Sequence, residues 1–178
     1  MPAVSELLSK DSVAVDDLDA VACGAGPGSF TSLRIAASIA KGLCAAREIP
    51  LLVAPSTLLV VAAASSLPHG DYVVALDAMR GDFFWQDVNV DASGAIMPGM
   101  SSRTSRADLD RHAESRSARI IGPAETPPLP PHARGFGRLI KQALVTAVEM
   151  TTWEPNYGRK AEAQVRWETA HGRELGTA

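Results

Sequence analysis

The chain has 178 residues, 46% hydrophobic and 21% charged, enough for one compact domain or two small ones. No apolar run is long enough to cross a bilayer, and the opening MPAVSELLSK lacks the basic head and long apolar middle of a secretory leader. The net charge of −3 divides unevenly, with 5 basic and 11 acidic side chains in residues 1–100 against 12 and 9 in residues 101–178, and neither half is the strong basic footprint of a nucleic-acid binder.

Residues 2–10 (PAVSELLSK) have a short amphipathic helical pattern, with Val4, Leu7 and Leu8 on one side. Asp11 to Asp17 is a polar link. Leu18 to Gly24 is nearly all apolar, as expected of a strand covered on both faces. It ends in a glycine turn, Gly24, Gly26, Pro27, Gly28 and Ser29, which opens a helix over 29–46 that Ser29 or Thr31 can cap. Leu33, Ala36, Ala37, Ala40, Leu43 and Cys44 are expected on one apolar face of that helix, and Ile35 and Ile39 on a second. The arc is wider than one sheet contact needs, and its alanines would let another helix approach closely.

A strand is expected at PLLVA from Pro50, then a helix from Ser56 or Thr57 to Ala64. Asp71 to Asp77 reads as a buried strand, turning over Ala78–Gly81 into a hairpin with Asp82–Val90, and Ala95 to Met100 as a third strand. A polar helix is expected over 105–115, a strand over Ala118–Gly122, a stiff loop through the five prolines of Pro123–Pro131, and a last helix over Phe136–Met150. The tail is expected to fray after Glu168. This order predicts a mixed α/β architecture in two halves, with a boundary near Leu67–Asp71.

Little in the sequence assembles into a catalytic set. A glycine turn feeding a helix can cradle an anion, but GAGPGSFTS has no Lys before its Ser or Thr, and its third glycine comes one residue early for GxGxxG. A structural turn is the simpler reading. His69, His112, His132 and His171 show no metal-site spacing. Asp77 and Asp82 fit a hairpin turn. Phe83, Phe84 and Trp85 can offer a platform for bases, although core packing accounts for them as well. Cys23 and Cys44 are expected to be buried free thiols in a reducing cytoplasm.

One long motif goes further. GPGSFTSLRIAASIAKGL closely resembles the GPGSFTGLRIGxxxAKGL signature of the TsaB family. IPLLVAPSTL, ALDAMRGDFFW (for an IDARxGEVYW-like hairpin) and EPNYGR (for PxYLR) follow in the family's order, so the resemblance runs from about Ala3 to Trp167. It implies an actin-like ATPase (ribonuclease H-like) α/β fold of two similar halves. The expected divisions are 1–68, 69–168 and a tail 169–178.

The family begins with three strands carrying an Asp-Thr motif. This sequence opens at the first helix, so those strands are expected to be missing from the N-terminal half. Ser32 replaces a Gly, Glu48 stands where a helix-ending Gly is common, and Gly158 replaces the Leu of YLR. The resemblance further implies a non-catalytic scaffold subunit for making threonylcarbamoyladenosine beside the tRNA anticodon. It would act by binding TsaD, with TsaE in a ternary complex or with itself as a homodimer, and would meet tRNA only through the complex. Neither cofactor nor metal is expected on this subunit, ATP and metal belonging to its partners. The implied interface maps to Val4, Leu7, Leu8, Leu33, Ala36, Ala37, Ala40 and Leu43. The alternatives are a nucleotide-binding enzyme of the actin-like superfamily, or a glycoprotease-like peptidase.

Overall fold

The computed structural model describes residues 2–158, 167 and 170–172. The expected fraying after Glu168, and most of the expected tail 169–178, lie outside them. Among the described residues no helix is long and apolar enough to cross a membrane.

The chain runs through α1 (Pro2–Lys10), β1 (Val21–Gly24), α2 (Phe30–Arg47), β2 (Leu51–Ala54) and α3 (Ser56–Ala63). Then come β3 (Gly70–Asp77), β4 (Asp82–Val90), β5 (Ile96–Ser105), α4 (Arg106–Ser115), β6 (Arg119–Ile121), α5 (Phe136–Lys141) and β7 (Thr146–Val148). The mixed α/β architecture is as expected. The strands form two sheets, ordered β1-β2-β7 and β5-β4-β3-β6. β1 and β2 are parallel, as are β3 and β6, while β3, β4 and β5 form an antiparallel meander.

The expected helix over Phe136–Met150 is corrected. It stops at Lys141, Ala143 turns left-handed (φ 54°), and the Leu144 N–H reaches back to the Leu139 carbonyl at 2.8 Å. Val145, Thr146 and Val148 are β-branched and suit an extended chain. Residues 146–148 pair antiparallel with β2 and cover its outer edge in the first sheet. Helical periodicity cannot show that a distant edge is open.

This return means that a cut at 68/69 does not separate the sheets, and the core crosses the same point. α3, from before the cut, is buried at all eight residues. It packs with β3, β4 and α5 in the largest apolar cluster, around Leu58, Val61, Tyr72, Val74, Val88 and Leu139. Two arginines reach its C-terminal carbonyls. Arg134 Nε donates to the Ala63 carbonyl at 2.8 Å, and Arg138 Nη1 makes a long contact of 3.5 Å to that of Val61. A second cluster joins Cys23, Ala40, Cys44, Leu51 and Val53 between α2 and the first sheet. A third joins Val73, Ala75, Trp85, Leu109 and Ala113 under α4. Both cysteines are free and buried, and burial pushes both thiols up, Cys23 further through neighbouring Cys44.

Two turns show local chemistry deciding geometry. α2 ends on Glu48 in the left-handed region (φ 55°), where a non-glycine residue costs roughly 1–2 kcal/mol. Between β4 and β5, Asp91 Oδ1 accepts from the Ser93 hydroxyl (2.7 Å) and from the Ser93 and Ala95 N–H groups (both 2.8 Å). These bonds, the Ser93 hydroxyl foremost, hold the Asp91 carboxyl below its usual range. A depressed carboxyl stabilises the fold above its unfolded pKa, about 3.9, and that contribution is lost as pH falls through the lower folded value. Asp91→Ala should therefore destabilise the chain at neutral pH and converge on the wild type in acid. Urea titrations at both pH values check this; a stability gap independent of pH would refute it.

Candidate functional site

The glycine turn after β1 is clasped from two sides. The Ala25 N–H donates to the Ala54 carbonyl (2.7 Å), and the Ser56 N–H donates to the Gly26 carbonyl (2.8 Å). From the far end of the chain, the Asn156 N–H donates to the Ala25 carbonyl (2.7 Å). Gly26 has φ +88°, and a Cβ there would overlap the Asn156 carbonyl oxygen. The glycine therefore permits both a backbone conformation and a close approach. Ser29 is the N-cap residue of α2, but its side chain makes no capping bond, and Thr31 lies inside the helix. Neither expected capping side chain caps it; the first turn closes through the Leu33 N–H to the Ser29 carbonyl at 2.9 Å.

Opposite the turn stands the β3–β4 hairpin. Met79, Arg80 and Gly81 have φ values of 66°, 61° and 86°, a run of left-handed residues. The Asp77 carboxylate accepts from the Met79 N–H (2.6 Å), and Asp82 pairs with Arg103 (2.9 Å). Asp77 and Asp82 thus serve a turn and an ion pair. The cleft between turn and hairpin holds two cavities of about 400 and 410 Å3, and Phe84 lines both. The first is lined by Ser29, Thr31, Asp77, Met79 and Tyr157 among others. Burial first, and then the Glu154 carboxylate, push the Tyr157 hydroxyl up. Gly158 (φ +69°) abuts the Phe84 ring, which a Cβ at that position would overlap. This accounts for glycine in place of leucine there.

The hairpin aromatics divide between the two faces of the second sheet. Trp85 is buried beneath α4, Phe83 packs beside it, and Phe84 faces the cleft. Among the histidines, His112 bonds the buried Asp87 carboxylate at 2.9 Å and packs tilted against the Trp85 ring, with Arg116 Nε 3.5 Å from the same carboxylate. His132 accepts from the Arg134 N–H, His171 lies against the Trp167 carbonyl, and His69 is exposed. No group of three or more His, Cys, Asp or Glu among the described residues could hold a metal ion. The Asp87–His112–Arg116 cluster and the Asn156 clasp had no sequence signal, because Asp87 lies 25 residues from His112 and Asn156 lies at the far end of the chain from Ala25.

The residues expected at a partner interface are split. Leu33, Ala37 and Ala40 are buried within the chain itself, at 8%, 5% and 4% exposure. The apolar face expected of Leu33, Ala36, Ala37, Ala40, Leu43 and Cys44 is therefore narrower: Leu33, Ala37, Ala40 and Cys44 point inward at helical spacing. Ala36 is exposed, Leu43 and Ile39 are half-buried, and Ile35 is 56% exposed, together forming an outward stripe. On α1, Leu7 is 61% exposed and Val4 and Leu8 half-buried. None of these three belongs to a buried apolar cluster.

Two sheets that meet around α3, with a cleft between the glycine turn and the β3–β4 hairpin, make up an actin-like α/β fold. Two Pseudomonas aeruginosa structures have this fold. One, described as an uncharacterized protein with similarity to peptidase YEAZ, superposes with TM-score 0.67 at 24% identity over 89% of this chain and 82% of that one. The other, YeaZ, gives TM-score 0.66 at 24% identity over 86% and 81%.

The family model described as "TsaD: tRNA N6-adenosine threonylcarbamoyltransferase" matches residues 1–102, more than half of the chain, and the chain belongs to that family. Within it, the curated relatives point to TsaB. The "tRNA threonylcarbamoyladenosine biosynthesis protein TsaB" of Escherichia coli (strain K12) is 34% identical over 96 residues, covering 53% of this chain and 41% of the relative. That of Bacillus subtilis (strain 168) is 37% identical over 84 residues, 47% of this chain and 36% of the relative. The matched stretch spans about two-fifths of the length of these relatives.

Proposed function

We propose that this chain takes part in threonylcarbamoyladenosine biosynthesis as a non-catalytic scaffold subunit. It docks on TsaD, with TsaE joining a ternary complex, and meets tRNA within that assembly. The metal and ATP chemistry then belongs to the partners. One observation carries the reading: α2 buries one apolar stripe on its own sheet and leaves a second along the same helix, with Ile35 and Ala36 exposed and Ile39 and Leu43 half-buried. Leu7 of α1 is exposed as well. Fully covering one Ile or Leu is worth about 1.5–3 kcal/mol, so a few such residues can sustain a stable complex.

The test is co-expression with TsaD, followed by pull-down and tRNA modification in vitro. Ile39→Glu and Ala36→Glu are expected to weaken the complex by at least about a hundredfold, because each would bury an unpaired carboxylate. Modification should fall in parallel. Ala40→Glu is unsuitable, since Ala40 lies in the chain's own core. An undiminished complex in both variants would sink the reading; loss of a self-associated form alone would assign the stripe to a homodimer instead.

A further inference from the structure

The proline-rich loop between β6 and α5 has no part in the docking surface on α2, yet it presents an ordered face to solvent. Pro127, Pro128, Pro130 and Pro131 are all exposed, while Leu129 between them is half-buried and packs on the largest apolar cluster. Each proline ring fixes φ near about −65°, and a residue that precedes a proline is driven to an extended conformation. These constraints give residues 127–131 a polyproline II course. Residues 128–132 contain no helix, strand or turn, and His132 at the exit is extended (φ −142°, ψ 141°). A polyproline II helix repeats about every three residues. With Leu129 turned inward, Pro127 and Pro130 fall on one outer edge, and Pro128 and Pro131 on another.

The strip is fastened at both ends. Its one N–H, that of Leu129, donates to the Gly122 carbonyl at 2.9 Å. Before it, Arg106 grips the Glu125 carboxylate at 2.6 and 3.4 Å. After it, Arg134 Nε donates to the Ala63 carbonyl at 2.8 Å. No backbone N–H among the described residues donates to the carbonyls of residues 127–131.

We infer that Pro127–Pro131 is a docking strip for a partner protein whose groove is lined by aromatic rings. Such grooves take polyproline II segments because the ligand is extended before it binds and loses little entropy. The two proline edges seat against flat rings, and the carbonyls accept from an indole N–H or a phenol O–H. Charge narrows the partner further. His132 and Arg134 are exposed just past Pro131, whereas Glu125 at the other end is already paired with Arg106. The matching groove therefore carries a carboxylate at the Arg134 end. The strip uses none of the residues of the α2 stripe, so it stands or falls independently of the docking proposed above.

The full chain is titrated with a purified SH3 domain, used as a probe because its groove is aromatic-lined and takes proline-rich segments. The free peptide 123–132 is titrated alongside. The chain should bind saturably and at least as tightly as the peptide, since its strip is already ordered. Pro128→Ala and Pro130→Ala, one on each edge, should each weaken binding at least about tenfold with circular dichroism unchanged. Pro123→Ala, outside the strip, should bind like the wild type. Raising sodium chloride to about 0.5 M should weaken binding several-fold by screening the Arg134 end. No binding, binding by the peptide but not by the chain, or equal binding by both strip variants overturns the proposal, and salt-independent binding overturns the acidic groove. Self-association in sedimentation that either strip variant abolishes would assign the strip to a second copy and overturn it too. Ile39→Glu should bind the probe normally, which keeps this test apart from the docking test.

Discussion

Replacing Gly26 with alanine is expected to destabilise the chain by about 3 kcal/mol, a large effect for one methyl group. Two causes combine. The φ of +88° lies where a Cβ is strained, at a cost of roughly 1–2 kcal/mol. The new Cβ would also overlap the Asn156 carbonyl oxygen, and the Leu33 Cδ1 lies at 3.1 Å. Relief requires the Asn156 segment to move and to give up its 2.7 Å bond to the Ala25 carbonyl. That segment carries Trp153, which packs on the α2 cluster. Urea unfolding followed by tryptophan fluorescence should show an earlier midpoint with unchanged slope. Gly42→Ala is the control: nothing lies within 4 Å of its Cβ, and alanine in a helix should stabilise by about 0.5–1 kcal/mol. Equal behaviour of the two variants would refute the clasp.

Arg138→Met is expected to cost about 2 kcal/mol, although it removes no apolar contact from the core. The guanidinium reaches between α5 and α3, donating to the Gly94 carbonyl at 2.6 Å and touching that of Val61. Methionine keeps much of the length and none of the donors, so the Gly94 carbonyl of the β4–β5 turn and the Val61 carbonyl near the end of a wholly buried helix lose a charged partner. Gln142 also donates to Gly94 (3.1 Å), which keeps the loss moderate. Adding Arg134→Met removes the donor on the Ala63 carbonyl, and the double variant should lose more than either single one. Thermal unfolding checks both; a double variant as stable as the wild type would show that these carbonyls find other partners.

Local chemistry was legible wherever it acts over a few residues. The apolar run expected over Leu18–Gly24, of which Val21–Gly24 forms the strand, the glycine turn, the long α2 and the β3–β4 hairpin all follow from spacing and turn residues. The family resemblance rested on the same stretches, and the family and the actin-like α/β fold class it named are those of the chain. The reading failed at Phe136–Met150, where β-branched Val145, Thr146 and Val148 left the helix for a strand edge built a hundred residues earlier. Local preference there was weak, and pairing with β2 decided the outcome.

The outward and inward faces of α2 show the same division of causes. Its composition required two apolar stripes, and the sequence alone determined that much. Only the packed chain decided which residues each stripe holds. A few tens of degrees of rotation about the helix axis, set by Cys23, Leu51 and Val53 beneath it, buried Ala37 and Ala40 and left Ala36 in solvent. The cleft is likewise a tertiary product. Gln86, Ser101, Thr57 and Pro27 come from four separate segments. Each has an ordinary local role, and strand register brings Gln86 and Ser101 together on one face. Sequence determines the elements because their hydrogen bonds and periodicities are local. The site depends on side chains meeting across sheets, and that is settled only when the apolar surfaces close.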